Sequence, residues 1–301
     1  MIMQFILEKN VIIFNVIRDK WENPEIQRKV SSAMIFMSLV VLALIQLGRM
    51  ELLPDDVHLT TNHLHAIDFA FNLLLIKEVF DLILYLPRSI SNAQRKQLQI
   101  LSLILIRFAF KKLSFLGEPV SVTMDPESIA PILEILSGSL SSLIIFIIVY
   151  FFYQLKNKPL LVDPVQRDRF IAEKKTVAVA LIIAFFIVGT WKAKEIFLNH
   201  NLEPALHVFF TIFIFADILI VLISMQYSQL FLSLFRNSGF ALATVIARIS
   251  ITAPPFYREM LAIFAAVFSY LIAYVYNKSI VNVLDYFELN AKNKNKKILK
   301  K

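Results

Sequence analysis

The chain has 301 residues, 57% of them hydrophobic, with a mean hydropathy of +0.66, well above the roughly 45–50% apolar content of an average soluble domain. It contains no cysteine, which excludes a disulfide framework, a thiolate metal site and a cysteine nucleophile. Its formal charge of +8 falls between apolar runs and at the C-terminus, not along a basic stripe interleaved with aromatics. Lysines that hold helix ends at a membrane surface account for it, and nucleic acid is not an expected partner.

Residues 1–17 lack a basic n-region and a small-residue cleavage site, so no cleavable signal peptide is expected there. Ile2, Phe5, Ile6, Ile12, Ile13 and Val16 recur at helical spacing with Lys9, Asn10 and Arg18 off that face, which predicts an amphipathic interfacial helix within residues 1–30. Eight segments then approach the roughly 20 apolar residues that cross a hydrocarbon core of about 30 Å. They are 33–48, 64–86, 97–116, 128–155, 176–198, 205–227, 234–253 and 256–276. Pro254 and Pro255 end the seventh, because proline removes a backbone donor and restricts the residue before it.

Counted with the span ends beside them, the N-terminus, the loops after spans two, four and six, and the C-terminus hold 22 lysines and arginines, against six for the other four loops. By the positive-inside rule both termini are cytoplasmic. The expected fold is therefore all-α, a polytopic membrane bundle of about eight transmembrane helices.

Polar landmarks recur in the same order in both halves of the chain: Glu78 with Asp217, Arg107 with Arg248, and Glu134 with Glu259. The expected organisation is a first four-helix repeat over 31–156, a basic cytoplasmic linker over 157–175, a second repeat over 176–278 and a basic cytoplasmic tail over 279–301. Four spans are an even number, so the repeats are parallel and related by a pseudo-twofold axis along the membrane normal.

An ionised side chain at the bilayer centre costs about 2.5–3.5 kcal/mol even on insertion scales, so each needs a partner, a cavity or a function. Depth counting predicts two buried pairs, Glu78 with Arg107 and Asp217 with Arg248. Asp81, one turn after Glu78, offers a second acceptor for Arg107, while Lys77 points elsewhere. Two readings stay open: the pairs fix helix packing, or they line a polar path. Span four carries Glu134, Ser137, Gly138, Ser139, Ser141 and Ser142, and span eight carries Glu259 with Ala262, Ala265, Ala266 and Ser269. Glu134, Ser137, Ser141 and Glu259 belong either to a helix-contact surface of small residues or to a Ser-lined pathway.

All five histidines, His58, His63, His65, His200 and His207, fall in the outward regions. They are ordinary interfacial residues, a pH-sensitive loop or a metal-sensitive loop, and their spacing matches no metal signature. No Walker loop, dinucleotide turn, HExxH or GxSxG occurs, so neither an enzyme nor a cofactor is expected.

The run 215–279, with Asp217, Ala247-Arg248 and the small residues Ala262 to Ala266, resembles the phosphate-starvation-inducible PsiE family of bacterial four-span membrane proteins. The first half is similar through Glu78, Ile106-Arg107 and Ser137 to Ser142. The resemblance implies a tandem duplication of that unit in a bacterial plasma (inner) membrane, and supplies no mechanism. Two functions follow as expectations: a channel or transporter-like polar pathway between the repeats, or a non-transporting stress or regulatory protein. In the second, the basic cytoplasmic segments bind anionic lipid or a protein partner. The lipid bilayer and a second copy of the chain, forming a homo-oligomer, complete the expected partners.

Overall fold

The computed structural model describes residues 2–50, 63–113, 126–155, 164–199, 203–227 and 231–298. Among them the fold is all-α, with nine helices: α1 (Ile2–Trp21), α2 (Pro24–Arg49), α3 (Leu64–Tyr85), α4 (Ile90–Leu113), α5 (Pro126–Gln154), α6 (Pro164–Asn199), α7 (Glu203–Tyr227), α8 (Phe231–Thr252) and α9 (Tyr257–Ile298).

Four of these are long and apolar enough to cross a membrane: Pro24–Arg49, Ile129–Gln154, His207–Tyr227 and Tyr257–Ile280. They make the chain a helical membrane protein. Large apolar side chains such as Phe36, Leu140, Phe215 and Phe264 stand exposed on them, a surface that lipid covers and water does not.

Local chemistry sets several boundaries differently from the hydropathy pattern. Helix α2 begins at Pro24, because Asn23 caps it through a 2.9 Å bond from the Glu25 N–H to its side-chain oxygen and Pro24 fits the first helical position. Helix α6 starts at Pro164 and takes up residues expected in a linker. No Gly or Pro follows Pro255, so α9 runs on for 42 residues into the basic tail, about 63 Å in all. The turn into it pivots on Phe256, whose φ of 68° is left-handed.

Sequential helices pack as neighbours: α2 on α3, α3 on α4, α4 on α5, α6 on α7, α7 on α8 and α8 on α9. Contacts between the halves include α5 on α9 and α4 on α8. One apolar cluster joins α1, α3, α4, α6 and α7, and a second joins α4, α5, α8 and α9. The second is tight because Ala262, Ala265 and Ala266 are fully buried and Gly239 leaves room for Ile272. A Cβ at Gly239 would meet the Ile272 Cδ1 at 2.5 Å.

Helix α1 lies against α6, with Phe14 only 1% exposed. Trp21 Nε1 donates to Asp81 at 2.5 Å, and Lys175 Nζ donates to Asn15 at 2.9 Å. Its other apolar residues, Phe5, Ile12, Ile13 and Val16, remain exposed. One face therefore docks on the bundle and the other stays apolar and uncovered.

Candidate functional site

Of the two expected ion pairs, the structure brings one together. Arg248 Nη2 donates to Asp217 Oδ2 at 2.6 Å, with both side chains inside the bundle, between α8 and α7. The Arg248 guanidinium also lies 4.0 Å from the Phe213 ring centroid, a cation–π contact that supports a desolvated cation.

The other expected pair is corrected. Glu78 accepts from Lys96 at 3.3 Å, and Arg107 Nη2 donates to the side-chain oxygen of Asn72. The reason is register: α4 begins at Ile90, seven residues before the expected 97, which carries Arg107 about 10 Å further from the inner end than depth counting allowed. Asn72, nearly two turns above Glu78, is the residue of α3 that lies level with it. Asp81 does not serve Arg107 either. It accepts from Lys77 at 2.9 Å and from Trp21 at 2.5 Å, because Lys77 is one helical turn away on the same face and α1 docks its indole there.

The pair Asp217–Arg248 lies beside a group of polar side chains that crosses the interface between the halves. Gln97 approaches the Asp217 carboxylate. The Thr244 hydroxyl lies 2.6 Å from Gln97 Oε1 and 2.9 Å from Gln94 Oε1, and its single proton serves one oxygen at a time. Gln94 Nε2 donates to Ser269 Oγ at 2.9 Å. Side chains from α4, α7, α8 and α9 thereby meet in one largely buried polar cluster. Gln94→Leu is expected to cost only about 1 kcal/mol in reversible unfolding, because Thr244 and Ser269 can fall back on their own helix carbonyls, Phe240 and Ala265.

Glu134 pairs with Lys112 at 2.8 Å. Ser137 and Ser141 donate to carbonyls of their own helix, while Ser142 donates to the Ser102 carbonyl at 2.8 Å and ties α5 to α4. Glu259 is buried at the start of α9, and its Oε2 has no hydrogen-bond partner among the described residues. His63 bridges Arg49 and Gln46 at 3.2 and 2.6 Å, and His65 and His207 are exposed. His58 and His200 lie outside the described residues. Among the described residues no three metal-ligating side chains converge.

At the end of the bundle shared by the α8–α9 turn is a cavity of about 110 Å³, lined by Arg107, Phe108, His207, Thr252 and Arg258 among others. At the opposite end, Lys174 is 2% exposed and donates to the Arg88 carbonyl at 2.6 Å. Burial pushes its amine down to about 7. An unfolded lysine keeps its ordinary value near 10.4, so the unfolded chain binds more protons between these limits. Stability therefore rises with pH there and is lost again as pH falls to 7. Below 7 both states are protonated and the dependence ends. Lys174→Met is expected to remove this slope of about 1.4 kcal/mol per pH unit, read as the wild-type minus variant stability between pH 7 and 9.

Sequence reasoning missed Asn72, Gln94, Gln97, Lys174, Thr244 and Arg258, whose roles depend on contacts between distant helices. Only their polarity inside or beside apolar runs could have drawn attention to them. Comparisons with protein-family models, with curated proteins and with solved structures give no match.

Proposed function

We propose that the chain is an eight-span protein of a bacterial plasma membrane, built as two parallel PsiE-like four-helix repeats with both termini cytoplasmic, whose interface forms a transporter-like polar pathway. Helices α3, α4, α6 and α8 have 22, 24, 36 and 22 residues. The shortest is about 33 Å long, sufficient for the hydrocarbon core. Their charges are too many for a simple hydropathy window, yet several meet partners within the bundle, as in Lys77–Asp81, Lys96–Glu78 and Arg248–Asp217.

Support for the repeats comes from packing. The order α2–α3–α4–α5 is matched by α6–α7–α8–α9, and between halves α5 meets its counterpart α9 and α4 meets its counterpart α8. An element touching its own equivalent is what a twofold axis requires.

The observation that carries the functional reading is the polar cluster of Ser269, Gln94, Thr244, Gln97, Asp217 and Arg248 between the halves. An apolar interface would pack these helices without such groups, whereas a path for polar solute or protons needs them. In proteoliposomes the protein is expected to support ion or proton flux that Gln97→Leu with Thr244→Val reduces at least tenfold. Sealed vesicles with no flux at any imposed pH gradient or voltage would sink the reading.

The regulatory alternative has its own observation. Arg18, Arg88, Lys174 and Lys175 gather where α1 meets α3 and α6, near the face assigned to the cytoplasm. Topology is tested separately. Because the chain has no cysteine, single cysteines at Asn23, which caps the start of α2, and His65, at the start of α3, are expected to label from opposite sides of sealed vesicles.

A further inference from the structure

We infer that Arg236 of α8 holds the phosphate of an anionic phospholipid of the cytoplasmic leaflet, at the seam between α8 and α9. Arg236 Nε donates to Asn237 Oδ1 at 3.2 Å, and the guanidinium lies 4.1 Å from the centroid of the Tyr276 ring on α9. These two contacts orient the fork and leave its terminal nitrogens without a partner, and no carboxylate among the described residues lies within ion-pair distance. Arg95 shows how the first half meets the same need. It stands twelve residues before Arg107, as Arg236 stands twelve before Arg248, and its guanidinium lies 5.1 Å from the Tyr153 ring of α5. There α5 ends at Gln154, and Arg95 Nη2 donates to the Leu155 carbonyl at 2.9 Å. Helix α9 runs on past Tyr276 to Ile298, so its carbonyls at that level stay in helical bonds, and Arg236 receives no such acceptor.

The inference rests on the proposed reading that α8 crosses the membrane with its first residue at the cytoplasmic face, and not on transport. Arg236 stands five residues, about 8 Å, from Phe231 at the start of α8. Helical side chains lean toward the N-terminus, and an arginine stem snorkels to headgroup level from such a depth. Phe231, Phe235, Leu242 and Ile249 are exposed on α8, at a spacing that puts them on one face for acyl chains to cover. The guanidinium fork matches a phosphate with paired donors. A cation with no carboxylate beside it favours a headgroup of net negative charge over a zwitterionic one, whose own ammonium opposes it.

The test is fluorescence quenching of the full chain in nanodiscs, with one fluorophore on Ser238→Cys, a position exposed on α8 two residues after Arg236. Brominated phosphatidylglycerol and brominated phosphatidylcholine are compared at equal mole fraction. Phosphatidylglycerol is expected to be favoured about fivefold at this position, Arg236→Gln to bring the preference down to about one, and Arg236→Lys to keep part of it. Lys9→Gln, on α1, should leave the preference unchanged, and inorganic phosphate at constant ionic strength should not displace the lipid. Melting temperatures of each variant report whether the fold survives. Equal quenching by the two lipids, an undiminished preference in a folded Arg236→Gln, an equal loss from Lys9→Gln, or displacement by inorganic phosphate would each overturn the inference while leaving α8 in the membrane. Absence of quenching by either lipid would overturn the reading of α8 as a span, and the inference with it.

Discussion

Asp217→Ala is expected to destabilise the protein by about 3–5 kcal/mol, the usual result of stripping a buried ion of its partner. Arg248 is 4% exposed, and a guanidinium cannot shed its charge by losing a proton. Arg248→Met creates a different problem, because the orphaned carboxyl at Asp217 can take up a proton and become neutral. Its expected cost is smaller, about 1–3 kcal/mol. The double variant Asp217→Leu with Arg248→Met removes both charges and should recover to within about 1 kcal/mol of wild type. Reversible unfolding in mixed micelles reads all three. Equal losses from the two single variants, or a double variant as unstable as their sum, would mean that the pair is not an isolated, mutually compensating unit.

Phe14→Ala is expected to cost about 3 kcal/mol, and to do so by releasing α1 rather than by loosening the whole bundle. Phe14 is the side chain of α1 that enters the apolar cluster shared by α3, α6 and α7. Ile17 and Trp21 pack against the same cluster, Trp21 edge-on to Phe80 at 4.6 Å between ring centroids, and the polar ties are Trp21 to Asp81, Lys175 to Asn15, and Arg88 to Glu22 at 2.5 Å. Hydrogen exchange of the α1 amides should accelerate in the variant while the amides of α8 and α9 keep their protection. Unchanged exchange in α1 would show that the membrane surface alone holds this helix. A uniform increase everywhere would show that α1 is part of the cooperative core.

Helix existence was legible because composition and apolar run length act locally. The apolar segments around 33–48, 128–155, 205–227 and 256–276 reappear within α2, α5, α7 and α9, the helices long and apolar enough to cross a membrane. The meeting of Asp217 with Arg248 was also legible, since a buried acid on one helix and a buried base on the next have few other partners in an apolar bundle. Glu78 and Arg107 satisfied the same rule and yet found Lys96 and Asn72. A helix start misplaced by seven residues moves a side chain by two turns, and a long lysine stem reaches from a level that hydropathy ignores.

The sequence by itself determined that this is a helical membrane protein, where its main apolar helices run and that its interior charges need partners, because burial free energy and helix rise are properties of each segment. The tertiary structure alone decided which partners those charges take, how Gln94, Gln97, Thr244 and Ser269 bring three helices together, and where Arg107 and Arg258 face one cavity. Those outcomes depend on register and crossing between helices distant in sequence, quantities fixed by side-chain packing across the bundle and not carried by any single segment.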